Sequence, residues 1–357
     1  MQLKKDYIDT HKDIPDLKNM TLDETEIFIS RLGKEKYRAR QIIKWLYQFG
    51  VTSFDEMTNL AKDFKAEISN ISRISSLTIE KIQESADGTK KILFKLEDGN
   101  FIESVLIREK NHWTLCISTQ AGCQMGCKFC LTGRHGFKRN LLASEIVDQI
   151  TMTRFNTPEG KDIKNIVMMG MGEPLANYKN TLKAINIITT DSGMGLSKRK
   201  ITVSTCGIVP MIEQLGKDTV INLAVSLNAS DNETRSYLMP INRMYPIEKL
   251  VEVCRLYPMP RRRRITFEYI LMEGVNDSPE DAENLALLMR GVRCKFNLIP
   301  FNEFPESQFS TPSDERIDTF RKILIKHKYT AVIRKSKGRD ILAACGQLRG
   351  EKEKGEG

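Results

Sequence analysis

Cys123-Gln124-Met125-Gly126-Cys127-Lys128-Phe129-Cys130 places three cysteines within eight residues, and it follows directly on the strand-like run Trp113–Ser118. Both the fold and the chemistry are read from this loop. Three thiols on one loop can converge on one metal centre. A structural zinc site wants four ligands, and no fourth cysteine or histidine stands at a short regular offset, His135 being the nearest candidate. Three thiolates can instead hold three irons of a 4Fe-4S cubane, leaving the fourth iron open to a small molecule. Thiols ionise near pH ~8.5, so metal binding is what would hold them as thiolates.

Beyond the loop the pattern strand, loop, helix repeats. Strands are expected at Trp113–Ser118, Asn165–Met169, Lys200–Ser204, Ile221–Ser226, Ile265–Leu271 and Phe296–Ile299. Helices are expected at Ser144–Thr153, Asn180–Ile188, Ile247–Leu256, Pro279–Met289 and Glu315–His327. This alternation predicts an α/β fold whose parallel sheet has six β/α units, enough for a partial barrel and too few for a closed eightfold one. In either form the reactive groups belong at the C-terminal ends of the strands.

Upstream the composition changes. Residues 76–108 carry short runs around Ile82, Ile92, Phe94, Leu96 and Ile102, punctuated by Asp87-Gly88 and Asp98-Gly99, which predict a small antiparallel β extension. Glu103 sits in its last run. Residues 1–75 read as helical, with capping-box patterns at Thr21-x-x-Glu24 and Ser53-x-x-Glu56. Between those boxes Ile42, Ile43, Leu46 and Tyr47 form an apolar stripe, and Lys36, Arg38, Arg40 and Lys44 make a basic face that suits nucleic acid or plain solvent equally. The chain thus divides into a helical module (1–75), a β extension (76–108), a barrel (109–341) and a C-terminal segment (342–357) whose charged tail, residues 351–357, is expected to be disordered.

Composition bounds the compartment and the partners. The chain has 357 residues, a net charge of +9, 40% apolar residues and eight cysteines. It can bury a core without disulfide staples. The start, MQLKKDYIDTHKD, shows no apolar signal region, and no apolar stretch is long enough to span a membrane. A reducing, cytoplasmic setting follows, with cysteines serving as thiols or metal ligands. The basic excess points to a polyanion, most plausibly nucleic acid.

Cys-x3-Cys-x2-Cys with an aromatic before the last cysteine resembles the signature of radical S-adenosylmethionine (SAM) enzymes, which use a partial (β/α)6 barrel. Further segments extend the resemblance: Gly170-Met171-Gly172-Glu173-Pro174-Leu175, Ser204-Thr205-Cys206-Gly207, Ser226-Leu227-Asn228-Ala229, Met239-Pro240-Ile241-Asn242, Asn297–Asn302 and Ala343–Leu348. In this order they resemble the RlmN/Cfr family of RNA methyltransferases, whose RlmN branch methylates C2 of adenine in 23S rRNA and tRNA.

The resemblance implies a 4Fe-4S cluster on Cys123, Cys127 and Cys130, and two SAM molecules per turnover. It implies SAM contacts at Gly172, Glu173, Ser204, Ser226, Leu227, Asn228 and Asn302. It also implies Cys345 as methyl carrier, Cys116 as its partner in a transient disulfide, Glu103 as proton acceptor, a one-electron donor such as flavodoxin, and a monomer. From spacing alone Cys116 reads as a buried small hydrophobe, and Cys206, Cys254 and Cys294 read as core thiols. Three alternatives stay open: a Cfr-type enzyme acting at C8 of adenine, a radical enzyme acting on a protein or small molecule, and a zinc-stabilised RNA-binding protein without catalysis. Arg134, Lys138 and Arg139 flank the cluster loop and suit phosphate contacts. Arg261–Arg264 precede the fifth strand, opposite the expected active face, where a solvated or packing role is expected.

Overall fold

The computed structural model describes residues 14–305 and 307–350. The start of the chain read for a signal region and the charged tail both lie outside the described residues.

Among the described residues twelve strands occur in chain order: β1 (Thr78–Glu84), β2 (Lys90–Lys95), β3 (Phe101–Arg108), β4 (Trp113–Cys116), β5 (Gln120–Gly122), β6 (Phe137–Asn140), β7 (Ile163–Met168), β8 (Ile201–Thr205), β9 (Asn222–Ser226), β10 (Ile265–Leu271), β11 (Cys294–Pro300) and β12 (Ala331–Ile333). Ten of them form one sheet in the order β1-β2-β3-β4-β7-β8-β9-β10-β11-β12. From β4 onward all pairings in this sheet are parallel. The helices are α1 (Leu22–Arg31), α2 (Tyr37–Lys44), α3 (Lys62–Ile71), α4 (Leu131–Arg134), α5 (Ala143–Asn156), α6 (Tyr178–Thr189), α7 (Val209–Asp218), α8 (Asn232–Leu238), α9 (Ile247–Leu256), α10 (Pro279–Leu288) and α11 (Asp314–Lys326). This is the expected open α/β barrel.

The β extension joins the barrel sheet: β3 pairs antiparallel with β4, so the hairpins continue it. Two differences from the sequence reading have physical causes. A seventh parallel strand, β12, is added outside the six, and at three residues it is too short to leave a periodic signal. The Ser53–Glu56 capping box caps only one 3-10 turn (Phe54–Glu56), and α3 starts later without a side-chain cap. The Asp-Gly turns do what was expected, Gly88 and Gly99 taking φ of 82° and 83°.

The apolar stripe Ile42, Ile43, Leu46, Tyr47 is buried, and the helical module packs on α5. A buried ion pair fastens it: Lys18 Nζ lies 2.7 Å from Asp148 Oδ1, with both side chains almost fully enclosed. Asp148 Oδ2 also accepts from the Leu77 N–H at 2.7 Å, and the Tyr47 hydroxyl donates to the Lys18 carbonyl at 2.8 Å. The Lys18 ammonium, the Asp148 carboxylate and the Tyr47 hydroxyl of this joint therefore each have a partner.

Candidate active site

The loop bearing the three cysteines is closed at its base by a short ribbon, β5 against β6. The Cys123 N–H donates to the Gly136 carbonyl at 2.9 Å, and Gly122, at φ +77°, passes so close to that carbonyl that any side chain would collide with it. At its far side the loop is held by α8, the Lys128 N–H donating to the Leu238 carbonyl at 3.0 Å.

One cavity at the C-terminal ends of the strands gathers most of the expected residues. Cys123, Cys127 and Cys130 line it, together with Cys116, Gly172, Glu173, Ser204, Ser226 and Cys345. All eight cysteines are free. Burial pushes the Cys116 and Cys123 thiols up to about 12, and it raises Cys127, Cys130 and Cys345 as well. The protein alone thus keeps these sulfurs protonated. Among the described residues no three His, Cys, Asp or Glu side chains are gathered tightly enough to hold a single metal ion. His135 is exposed and does not line the cavity. Three thiols from one loop facing a shared cavity form a soft sulfur donor set that fits an iron–sulfur cluster. A larger groove of about 750 Å³ lies outside the barrel between α7 and α9, away from the strand ends.

Glu173 is buried beside the loop. Its carboxylate accepts from the Leu175 N–H at 2.9 Å and the Cys206 N–H at 2.7 Å. Burial raises its pKa despite these donors. Gly172 holds φ +96°, and a Cβ there would lie 2.5 Å from Gln120 Cβ. Glycine is therefore required for the chain to pass this point.

Glu103, Leu227, Asn228 and Asn302 do not line the cavity. Leu227 is wholly buried core. Asn228 accepts from the Ile270 N–H at 2.8 Å and joins the ends of β9 and β10. Asn302 donates to the Cys345 carbonyl at 3.2 Å and accepts from Arg339 Nε at 3.2 Å, so it tethers the carrier segment. Glu103 is buried, not solvent-facing. Lys91 Nζ lies 3.2 Å from its Oε1, and the N–H groups of Arg349 and Gly350 donate to its Oε2 at 2.7 and 3.0 Å. The segment around Cys345 is bolted down between these points. The Leu131 N–H donates to the Gly346 carbonyl at 2.7 Å, Thr132 Oγ1 to the Leu348 carbonyl at 2.7 Å, and Gln347 Nε2 to the Glu303 carbonyl at 2.7 Å.

Three residues at or beside the cavity escaped the sequence reading. Glu268 is a buried carboxylate on β10 that accepts from Ser204 Oγ at 3.1 Å. Arg334 lies 3.7 Å from Glu268, and the Cys345 sulfur beside it is the main influence raising its pKa. A charged residue at an inward position of an apolar strand was the available signal for Glu268. Arg235, on α8, is fully enclosed. It donates from Nη2 to the Cys206 carbonyl at 2.7 Å and the Ser226 carbonyl at 3.3 Å, from Nη1 to Asn242 Oδ1 at 2.9 Å, and from Nε to the Leu227 carbonyl at 3.1 Å. It locks the ends of β8 and β9 together, and nothing in its local sequence marks it as buried.

Among the flanking cations, Arg139 is bound to Glu145 at 2.7 Å and to Asp98, which ties β6 to the hairpins. Arg134 stands over the Phe304 ring, and Lys138 is exposed. Cys206, Cys254 and Cys294 are all buried.

An open parallel barrel with this cysteine loop at its mouth defines a radical SAM protein, and residues 117–286 match the Radical SAM superfamily. Residues 15–74 match the ribosomal RNA large subunit methyltransferase N-terminal domain. The chain is 61% identical over 341 residues to the dual-specificity RNA methyltransferase RlmN of Syntrophus aciditrophicus (strain SB), covering 96% of this chain and 98% of that one. It is 50% identical over 336 residues to RlmN of Geobacter sulfurreducens, covering 94% and 92%. A solved radical SAM methyltransferase from Sphaerobacter thermophilus superposes with a TM-score of 0.89 at 44% identity, covering 94% of this chain and 100% of that chain. The chain belongs to the RlmN family of RNA methyltransferases. It is a SAM-dependent enzyme that modifies RNA, and its superfamily implies a 4Fe-4S cluster with SAM. No helix among the described residues is long and apolar enough to cross a membrane.

Proposed function

We propose that this enzyme methylates C2 of adenine in 23S rRNA, at the peptidyl transferase centre, and in tRNA next to the anticodon, through an S-methylcysteine at Cys345. The observation that carries this reading is that Cys345 and Cys116 line the same cavity as the three loop cysteines. C2 of adenine lies between two ring nitrogens and is no nucleophile, so direct methyl displacement is closed to it, whereas a carbon radical can add there.

In this reading Cys123, Cys127 and Cys130 hold the cluster, and Gly172, Glu173, Ser204 and Ser226 seat SAM beside it. Leu227, Asn228 and Asn302 shape that seat from behind. When bound, the cluster supplies the single electron that cleaves SAM to methionine and a carbon radical able to take hydrogen from an S-methyl group. Cys345 first accepts a methyl group as a thiolate, beside the Arg334 guanidinium, and later carries the carbon that bonds to C2. Glu103 takes the proton from the adduct carbon. Its oxygens are engaged by Lys91 and by residues 349–350, so the C-terminal segment must lift before Glu103 acts. The adduct's unpaired electron returns to the one-electron redox centre. Cys116, as a thiolate, then attacks the Cys345 sulfur, and the sulfur–carbon bond breaks. Its electron pair passes to the former methylene, which takes a proton to become the methyl group. An external dithiol-type reductant reduces the disulfide before the next turnover. The helical module to residue 75 docks RNA, 76–108 extends the sheet, 109–341 is the catalytic barrel and 342–357 the carrier segment. A cytoplasmic monomer served by a flavodoxin-like donor completes the reading.

Nucleoside mass spectrometry of RNA treated with the reconstituted enzyme is the test. 2-Methyladenosine, abolished in Cys345→Ala, is expected. 8-Methyladenosine would overturn the C2 assignment, and turnover by Cys345→Ala would overturn the carrier.

A further inference from the structure

The cavity lies at the C-terminal ends of the strands, yet runs of positive charge lie at their N-terminal ends. Lys198-Arg199-Lys200 turn into β8, Arg261–Arg264 lead into β10, and Arg293 and Lys328 stand before β11 and β12. All are exposed except Arg263, which is half-buried. These loops form one stitched surface. The Asn222 amide donates to the Arg199 carbonyl at 2.8 Å, Arg263 to the Val220 carbonyl at 3.4 Å, and Arg264 to Thr330 Oγ1 at 2.8 Å. Arg293 donates to the Pro260 and Arg263 carbonyls, each at 3.2 Å.

No carboxylate among the described residues pairs with any of these cations. The ion pairs on neighbouring α7 and α11, Lys217–Glu213, Arg316–Asp277, Arg321–Asp318 and Lys322–Asp318, involve none of them. Self-repulsion in such a surface costs stability and calls for an external anion. Its composition suits phosphate better than protein. Neither run contains an aromatic or large apolar side chain to make the desolvated centre of a protein interface, where lysine is also depleted.

The surface is separate from the mouth. Strands of five to seven residues span roughly 17–23 Å, more than twice the ~8 Å screening length at physiological salt. Salt therefore largely screens this charge from a short RNA seated at the mouth.

We propose that the N-terminal face of the barrel is a second RNA-binding surface, which takes the phosphate backbone of a substrate segment remote from the target base. The idea rests on RNA being the substrate and not on which adenine carbon is methylated.

The test uses the full-length, cluster-loaded enzyme with two probes: a long ribosomal RNA transcript, and a short hairpin cut from it around the target adenine. The combined variant Lys198→Glu, Lys200→Glu, Arg261→Glu, Arg262→Glu is expected to bind the long transcript about tenfold more weakly. Its slope of log affinity against log salt should fall by roughly 0.7–0.9 for each phosphate that the variant no longer neutralises. Hairpin affinity and hairpin methylation should stay at the wild-type level. Unchanged affinity and slope for the long transcript would overturn the proposal. So would equal weakening with both probes, which marks a general field effect. Unchanged RNA binding with slower turnover only when an acidic flavoprotein replaces dithionite would assign the face to the donor, and would overturn it too. The hairpin product, read by mass spectrometry, reports separately on the methylation chemistry.

Discussion

Removing the Arg235 guanidinium tests how the cofactor end of the barrel is held. Burial depresses its pKa to about 10, so it is still charged at neutral pH. Its acceptors are neutral oxygens: the carbonyls of Cys206, Ser226 and Leu227, and Asn242 Oδ1. In Arg235→Met the Cys206 and Leu227 carbonyls and the Asn242 oxygen are left without this donor in a closed interior. A stranded buried acceptor costs about 1–3 kcal/mol, so three give about 3–9 kcal/mol. Relief of the guanidinium's own desolvation, several kcal/mol, works against that sum. We expect a net loss of about 3 kcal/mol, a large share of a typical total of about 5–15 kcal/mol. The assay is anaerobic urea unfolding of the reduced, cluster-free protein. Because the freed carbonyls end the strands that bear Ser204 and Ser226, SAM affinity, read by calorimetry on the loaded protein, should fall about tenfold, equivalent to about 1.4 kcal/mol. Arg235→Lys, which reaches fewer of the acceptors, should fall between. If Arg235→Met unfolds at the wild-type urea concentration and binds SAM normally, the carbonyls do not need the guanidinium and the strand ends are held by other means.

Three further outcomes follow from the packing. Lys18→Met strands the Asp148 carboxylate in the interface with the helical module and should cost about 3–5 kcal/mol at pH 7. Burial already raises the Asp148 pKa, so the native state binds the extra proton and this deficit should shrink as pH falls towards the ordinary carboxylate value, read as the gap between mutant and wild-type urea midpoints. Gly172→Ala forces a methyl group against Gln120 at a backbone angle that disfavours it. SAM binding should weaken at least tenfold in calorimetry, and wild-type affinity would refute the steric reading. Cys254→Ala and Cys294→Ala should each cost about 1–2 kcal/mol as core truncations while methylation of RNA is unchanged; loss of turnover in a folded variant would give those thiols a role.

What the sequence made legible and what it hid have physical reasons. The six main strands are legible because short β-branched and apolar runs alternate with segments of helical periodicity, and β10 and α9 lie where that pattern puts them. The cysteine loop is legible because its spacing is local. Arg235 is not, because α8 reads Asn-Glu-Thr-Arg-Ser-Tyr-Leu, a polar helix, and only tertiary closure by Cys206, Leu227 and Asn242 reveals its burial. Glu103 is buried because Lys91 and the C-terminal segment cover it, and that segment is distant in sequence. Arg139 looked like a phosphate ligand, but carboxylates from elsewhere in the fold take it up.

Among the described residues the open barrel has two outermost strands where a closed one has none, and an edge strand is a template for unwanted pairing with another chain. On one side the outermost strand, β1, reads Thr-Ile-Glu-Lys-Ile-Gln-Glu and alternates between exposed and half-buried positions, so an approaching strand meets charge. On the other, β12 offers only three residues. Both margins are thus blunted against pairing with another chain. Variants that make β1 apolar or lengthen β12 should lose solubility before they lose chemistry.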